Sequence, residues 1–218
     1  MIWSLRVTMP VLAAMLVGAA ALGAVRAEDA AEALPEVCRV DCVSPYGEVL
    51  GTAPGGIPSY SNCSAGCFTR EAHVQDGTFL GIKWQCVEFA RRWLFATHGM
   101  VFDDVDTAAD IWARVTELTR VATGERIPVT SHPNGSPILP RPDDLIVYCS
   151  SYLGLGHVAV VTAVDLEGGT VEVAEQNFQN RPWQSDHARR IDLVARDGRY
   201  WLLDSHLIGW KRVAAPGQ

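Results

Sequence analysis

Apolar side chains recur along this chain at two spacings, helical in the first half and strand-like in the second. A Gly-terminated loop at Gly81 runs into an amphipathic pattern that opens at Cys86 and ends near His98. Thr97-His98-Gly99 closes it with a cation-capable side chain before a C′ glycine. Glu88 is placed to pair with Arg91 or Arg92 on that helix. A second helix is predicted from about Val105 to Leu118, where Ile111, Trp112, Val115 and Leu118 keep helical spacing and Trp112 reads as core. Short apolar runs follow at Leu145 to Cys149, Val158 to Val164, Thr170 to Ala174, Ile191 to Ala195 and Tyr200 to Leu203. Turn signals at Glu167-Gly168-Gly169 and Arg196-Asp197-Gly198 make the last four hairpin-like strands. Gly, Pro and Ser density predicts loops over Ser44 to Phe79 and over Ile127 to Asp144. Helices first and antiparallel strands after is an α+β order.

The opening pattern is of a different kind. Met1 to Ala27 reads as a secretory signal: Arg6 in a short n-region, an Ala/Leu/Val/Gly run from Val11 to Val25, and small residues around Ala27 for cleavage. The run is shorter than the ~20 apolar residues needed to span a bilayer, so no transmembrane span is expected in the mature chain, with a retained signal anchor as the alternative. Losing Arg6 and Arg26 with the leader takes the formal charge from −7 to −9, which argues against a nucleic-acid partner. Four of the six cysteines fall in two close pairs, Cys38 with Cys42 and Cys63 with Cys67. In an exported chain these predict two disulfides, of which three pairings are possible. A structural zinc site is the competing reading. Cys149, at the end of a strand-like run, reads as a buried free thiol. Asn62-Cys63-Ser64 and Asn134-Gly135-Ser136 are sequons, meaningful in a eukaryote. The chain thus divides into a leader (1–27), a Cys-containing N-terminal segment (28–43) and one domain (44–218) large enough for a single core.

The chemistry sits where loops meet these elements. Cys86 opens its helix in Gly81-Ile82-Lys83-Trp84-Gln85-Cys86-Val87-Glu88-Phe89-Ala90-Arg91-Arg92-Trp93. Backbone N–H groups and the dipole at a helix N-terminus favour a thiolate and can hold an oxyanion. A base is offered by Gly154-Leu155-Gly156-His157-Val158-Ala159, where glycines precede a histidine at the start of a strand. A third group follows in Val171-Glu172-Val173-Ala174-Glu175-Gln176-Asn177, whose Glu175 stands beside a break in the strand while Glu172 lies on the other face. Cys86, His157 and Glu175 form a candidate triad. Each has a plainer reading, as a core thiol, a satisfied strand-end histidine and a solvated acid. Of the five other histidines, His98 is a helix-end residue, His132 lies in a polar loop, and His73, His187 and His206 stand outside these blocks. Asp103, Asp104, Asp106 and Asp110 are read as helix-start acids ahead of an amine-binding role.

These three blocks resemble the CHAP family, the cysteine, histidine-dependent amidohydrolases/peptidases. Within it the likeness is nearest to glutathionylspermidine amidase domains and to secreted D-alanyl-glycyl endopeptidase-like proteins. Gly47-Glu48-Val49-Leu50-Gly51-Thr52-Ala53-Pro54-Gly55-Gly56, Gly198-Arg199-Tyr200-Trp201 and Leu207-Ile208-Gly209-Trp210 add to it, so it covers Pro45 to the C-terminus. The cysteine block is the specific part. The resemblance implies a papain-like fold, with the cysteine helix packed on an antiparallel sheet that carries the histidine and the acid. It implies amide hydrolysis through a thioester, with Cys86 as nucleophile, His157 as base and acid, and Glu175 orienting the imidazole. Gln85 and Asn177 are candidates for oxyanion or supporting contacts, and no metal or organic cofactor is required. The expected substrate is a peptide or amide. An exported enzyme points to cell-wall peptides, a glutathionylspermidine-type amidase to a glycyl-polyamine amide, and a catalytically silent wall-binding module is the third reading.

Overall fold

The apolar runs of the second half lie side by side in one sheet. The computed structural model describes residues 34–213, so the leader read over residues 1–27 falls outside them. In chain order the first elements are β1 (Val49–Ala53), β2 (Ile57–Tyr60), β3 (Ala72–Gln75), β4 (Thr78–Ile82), α1 (Cys86–His98), β5 (Met100–Val101) and α2 (Asp110–Arg114). There follow β6 (Glu117–Arg120), β7 (Arg126–Pro133), β8 (Leu145–Tyr148), β9 (His157–Asp165), β10 (Thr170–Ala174), β11 (Arg189–Arg196), β12 (Arg199–Leu202) and β13 (Leu207–Val213). Nine of these strands form one antiparallel sheet in the order β12-β11-β10-β9-β8-β13-β7-β6-β5. The hairpins β1–β2 and β3–β4 stand apart from it. The described chain is α+β, with much sheet and little helix.

The centre of the sheet is buried on both faces, which is why β8 and β9 read as continuous apolar runs rather than alternating ones. Val158 and Val160 pack with Phe89, Trp93 and Leu94 of α1. Ala159 and Val161, one residue out of phase, pack with Ile191, Leu193 and Trp210. Burial of Phe89, Trp93 and Leu94 contributes on the order of 2 kcal/mol each, which fixes α1 to the sheet. The helix stops at Gly99, whose φ of 63° is the left-handed cap that glycine adopts without cost. His98 in the last turn reaches Asp143 at 3.0 Å.

Three expectations need correction. The predicted second helix shrinks to α2, because Val115 turns extended (φ −83°, ψ 96°) and Leu118 continues as strand β6. Ile111, Val115 and Leu118 are buried all the same, so the apolar spacing was real while the backbone under its end was not helical. The stretch from Ile127 is not loop throughout: β7 runs to Pro133 between β13 and β6, its alternation of Ile127 and Val129 obscured by Pro128 and Pro133. Ser44 to Phe79 holds three strands and the start of a fourth, and Asp76-Gly77, both at positive φ, is the tight turn between β3 and β4.

The N-terminal segment makes one 3₁₀ turn, Glu36–Cys38, and is stapled down by Cys38–Cys67 and Cys42–Cys63. All four paired cysteines are thereby used in disulfides, and the zinc reading of them falls. Bridges across 29 and 21 residues are each worth about 2–4 kcal/mol. Cys149 is a free thiol as expected, but half-buried rather than buried, and its hydrogen bond with Ser151 lowers its pKa. Among the described residues no helix is long and apolar enough to cross a membrane.

Candidate active site

Two glycines let the backbone approach closely enough to set the site. A Cβ on Gly81 would lie 2.9 Å from the Glu88 Cα, so only glycine lets β4 cross the first turn of α1 there. Gly156 has φ +75°, and its Cβ would fall 2.5 Å from the Tyr148 carbonyl oxygen and 2.8 Å from the Ala109 nitrogen. His157 therefore begins β9 pressed against the end of β8. Gly156→Ala is expected to lower stability by about 1–3 kcal/mol, read as a drop in the thermal midpoint, and to displace His157.

Cys86 is the first residue of α1 and opens into a cleft of about 570 Å³. Its N–H belongs to the first turn, where backbone donors have no partner within the helix. Beneath it, Glu88 is fully buried and accepts hydrogen bonds from Arg92 Nε (2.6 Å), His73 (2.7 Å) and Gln176 Nε2 (2.8 Å). Burial alone would raise the Glu88 pKa, yet His73 and Arg92 outweigh it and hold it low. Gln176 Nε2 also donates to the Gln85 carbonyl (3.1 Å), which bolts the start of α1 to the segment after β10. Arg92 is the partner of Glu88; Arg91 instead donates to the Phe79 carbonyl at 2.8 Å.

The structure brings Cys86, His157 and Glu175 together from three separated stretches. His157 Nε2 donates to Glu175 Oε2 at 2.8 Å, and the imidazole lines the same cleft as Cys86, whose sulfur favours a charge on the ring. Rings of Tyr148, Tyr152 and Phe178 surround it at 5.5, 5.8 and 5.7 Å. Burial opposes a charge on His157, but the Cys86 sulfur and the Glu175 carboxylate outweigh it and push its pKa up to about 9. Glu175 is equally buried; burial would raise it, and His157 and Arg189 hold it below the usual carboxylate range instead. Arg189 Nε donates to Glu175 Oε1 at 2.6 Å, and the Glu175 carbonyl accepts from Ser59 at 2.9 Å.

Gln85 and Asn177 line the same cleft and touch each other. Asn177 Nδ2 donates to Gln85 Oε1 (2.7 Å), while Gln85 Nε2 donates to the Cys67 carbonyl (3.2 Å). Phe68, Leu153 and Leu155 form an exposed apolar rim, and Asp104 and Asp106 stand on another wall. The other histidines are engaged elsewhere: His73 with Glu88, His98 with Asp143, His132 with Thr130, His187 with Glu172 and His206 with Ser151. Glu172, Asp186 and His187 hold ligand atoms within 4.8 Å of one another, but Arg190 already supplies a cation to Glu172 at 2.8 Å.

A family model described as "CHAP domain" matches residues 77–177, the span that includes Cys86, His157 and Glu175. The chain carries a CHAP domain. Curated relatives extend the likeness beyond the CHAP span. The chain is 40% identical over 161 residues to a trypanothione synthetase of Crithidia fasciculata, covering 73% of this chain and 24% of that one. It is 35% identical over 182 residues to the bifunctional glutathionylspermidine synthetase/amidase of Escherichia coli (strain K12), 77% of this chain and 29% of that one. A glutathionylspermidine synthase of Crithidia fasciculata is 33% identical over 195 residues, 79% and 27%. The chain thus spans about a quarter of the length of the curated relatives it matches. Sequence reasoning missed Gln176, Tyr148, Phe178, Arg189 and Asp204 around this CHAP site. Gln176 stood in plain sight beside Glu175, whereas nothing local marks Arg189 or Asp204.

Proposed function

We propose that this CHAP domain is a cysteine amidohydrolase working through Cys86, His157 and Glu175. The observation that carries the reading is a helix-start thiol and an imidazole in one open cleft, with a buried carboxylate hydrogen-bonded to the imidazole behind it. Cys86 gives its thiol proton to His157 and its Sγ attacks the substrate carbonyl carbon, while the Cys86 N–H, supported by Gln85, holds the oxyanion. The proton on His157 passes to the leaving nitrogen as the C–N bond breaks, leaving a thioester. Water then attacks, giving its proton to His157, and release of the acid restores the thiol. Asn177 acts by holding Gln85. In this reading α1 against the sheet that carries His157 and Glu175 is the papain-like arrangement, and residues 44–218 are the catalytic unit.

For the substrate, the two disulfides support an exported enzyme after removal of residues 1–27, and hence a cell-wall peptide of the D-alanyl-glycyl kind. The resemblance to a glutathionylspermidine synthetase/amidase, and Asp104 and Asp106 on the cleft wall, favour a second reading: a glycyl amide whose leaving group is a polyamine. Mass spectrometry of the protein incubated with purified peptidoglycan and, separately, with glutathionylspermidine tests both. Muropeptide cleavage supports the first and free spermidine the second. A chain inert toward both, with Cys86 unreactive, would be the silent wall-binding module.

Glu175→Gln is expected to cost about 10 to 10³ in rate, since an amide still accepts the imidazole N–H but cannot stabilise the imidazolium. Glu172→Gln should stay near wild type, because Glu172 faces outward and pairs with the exposed Arg190. Greater damage from the Glu172 change in two folded variants would reassign the third residue.

A further inference from the structure

The groups behind Glu175 make a closed circuit that the triad itself does not require. Arg189 Nε donates to Glu175 Oε1 (2.6 Å), the oxygen that His157 leaves free, and Nη2 lies 3.5 Å from Oε2. Arg189 Nη1 donates to Asp204 Oδ2 (2.5 Å) and Nη2 to the Tyr148 hydroxyl (2.8 Å). The Tyr148 hydroxyl in turn donates to Asp204 Oδ2 (2.8 Å). The guanidinium lies 4.2 Å over the Phe178 ring, which itself packs on His157. These residues come from β8, the loop after β10, the start of β11 and the segment after β12, so the contact assembles only in the folded sheet.

We propose that Arg189, held by Asp204 and Tyr148, is a positioning residue that keeps Glu175 ionised and turned toward His157 throughout the reaction. The proposal rests on the reading of Glu175 as the third triad member. Burial is the largest influence on Glu175 and favours its neutral form. While His157 is an imidazolium, two cations oppose that influence. Once His157 has given its proton to the leaving amine it is neutral, and Arg189 is the cation that remains beside the acid. Without Arg189 the buried carboxyl would take up a proton at that stage. A protonated Glu175 accepts the Nε2–H poorly and cannot support the charge that His157 regains when water attacks. Arginine suits the post because its fixed fork reaches Glu175, Asp204 and Tyr148 at once.

The test compares Arg189→Met, Arg189→Lys and Glu175→Gln in the whole protein, with whichever amide substrate it cleaves. Arg189→Met should lower kcat about 10- to 100-fold with KM within about threefold. The acid limb of its kcat profile should move upward by about one pH unit or more, because Glu175 protonates more readily once His157 is neutral. Arg189→Lys should keep the wild-type acid limb and recover part of kcat. Asp204→Asn loosens the arginine without removing its charge; it should lower kcat by less than about tenfold and leave the limb in place. A folded Arg189→Met variant with an unmoved acid limb would overturn the proposal. If Arg189→Met does not fold, the proposal stands only if Arg189→Lys and Asp204→Asn both lower kcat with the limb unmoved, and is overturned otherwise. If Glu175→Gln is itself without effect, the reading of Glu175 fails, whatever Arg189 does.

Discussion

Replacing Cys86 with alanine should abolish amide hydrolysis, a loss of about 10⁴-fold or more, while the protein stays folded. The thiol supplies the covalent step. Cys149, the other free thiol, is bonded to Ser151 and lies outside the cleft lining. The structural cost should be small: Cys86 is 7% exposed within the main core, and its side chain ends in a single sulfur. A destabilisation of about 1 kcal/mol is the scale to expect. Cys86→Ser should be nearly as inactive, because a hydroxyl beside an imidazole tuned to a thiol is far harder to ionise. Product formation by mass spectrometry and a thermal melt separate the two effects. A folded Cys86→Ala variant that kept more than about a hundredth of the activity would rule out the thioester route. Thiol labelling as a companion assay needs Cys149→Ser as background, since the half-buried, Ser151-bonded Cys149 competes for reagent.

The parts of this protein that show in its sequence are those where local pattern and global fold agree. The helix from Cys86 to His98 carries its own start and stop, and β8 to β12 carry apolar runs set off by turns. The blocks around Cys86 and His157 stand out because glycine and a chemically capable side chain fall together in each, and the one around Glu175 because an acid stands where an apolar strand breaks. Gly81 and Gly156 are there for close backbone approach, which is also what aims the residues beside them. What stayed hidden depends on pairing at a distance. β7 is a strand because β13 and β6 flank it, and its prolines disguise it. The stretch ending at Leu118 leaves the helix because β6 has β7 to pair with, a tertiary demand that overrides spacing. Arg189 and Asp204 are ordinary charges in a chain with many, and their meaning arises only when β8, β10 and β11 come together. The disulfide pairing, one of three combinatorial options, needed the fold as well.

His157 should show its role through pH as much as through substitution. His157→Ala is expected to lower the rate about 10²- to 10⁴-fold, the share that a positioned acid–base supplies. In the intact protein, burial pulls the His157 pKa down, while the Cys86 sulfur and Glu175 push it up to about 9. The protonated form therefore persists well above the ordinary histidine value of about 6.5. As pH rises through about 9 that proton is lost, and with it the acid that the leaving amine needs; kcat/KM should fall about tenfold per further unit. The Cys86→Ala variant removes the sulfur that supports the charge and leaves Glu175 and burial in place. Its His157 should titrate lower than in the wild type, which imidazole nitrogen resonances followed across pH will report. A wild-type protein whose rate is flat from pH 8 to 11, or a His157 titration unmoved by loss of the Cys86 sulfur, would mean that the two side chains do not share a proton.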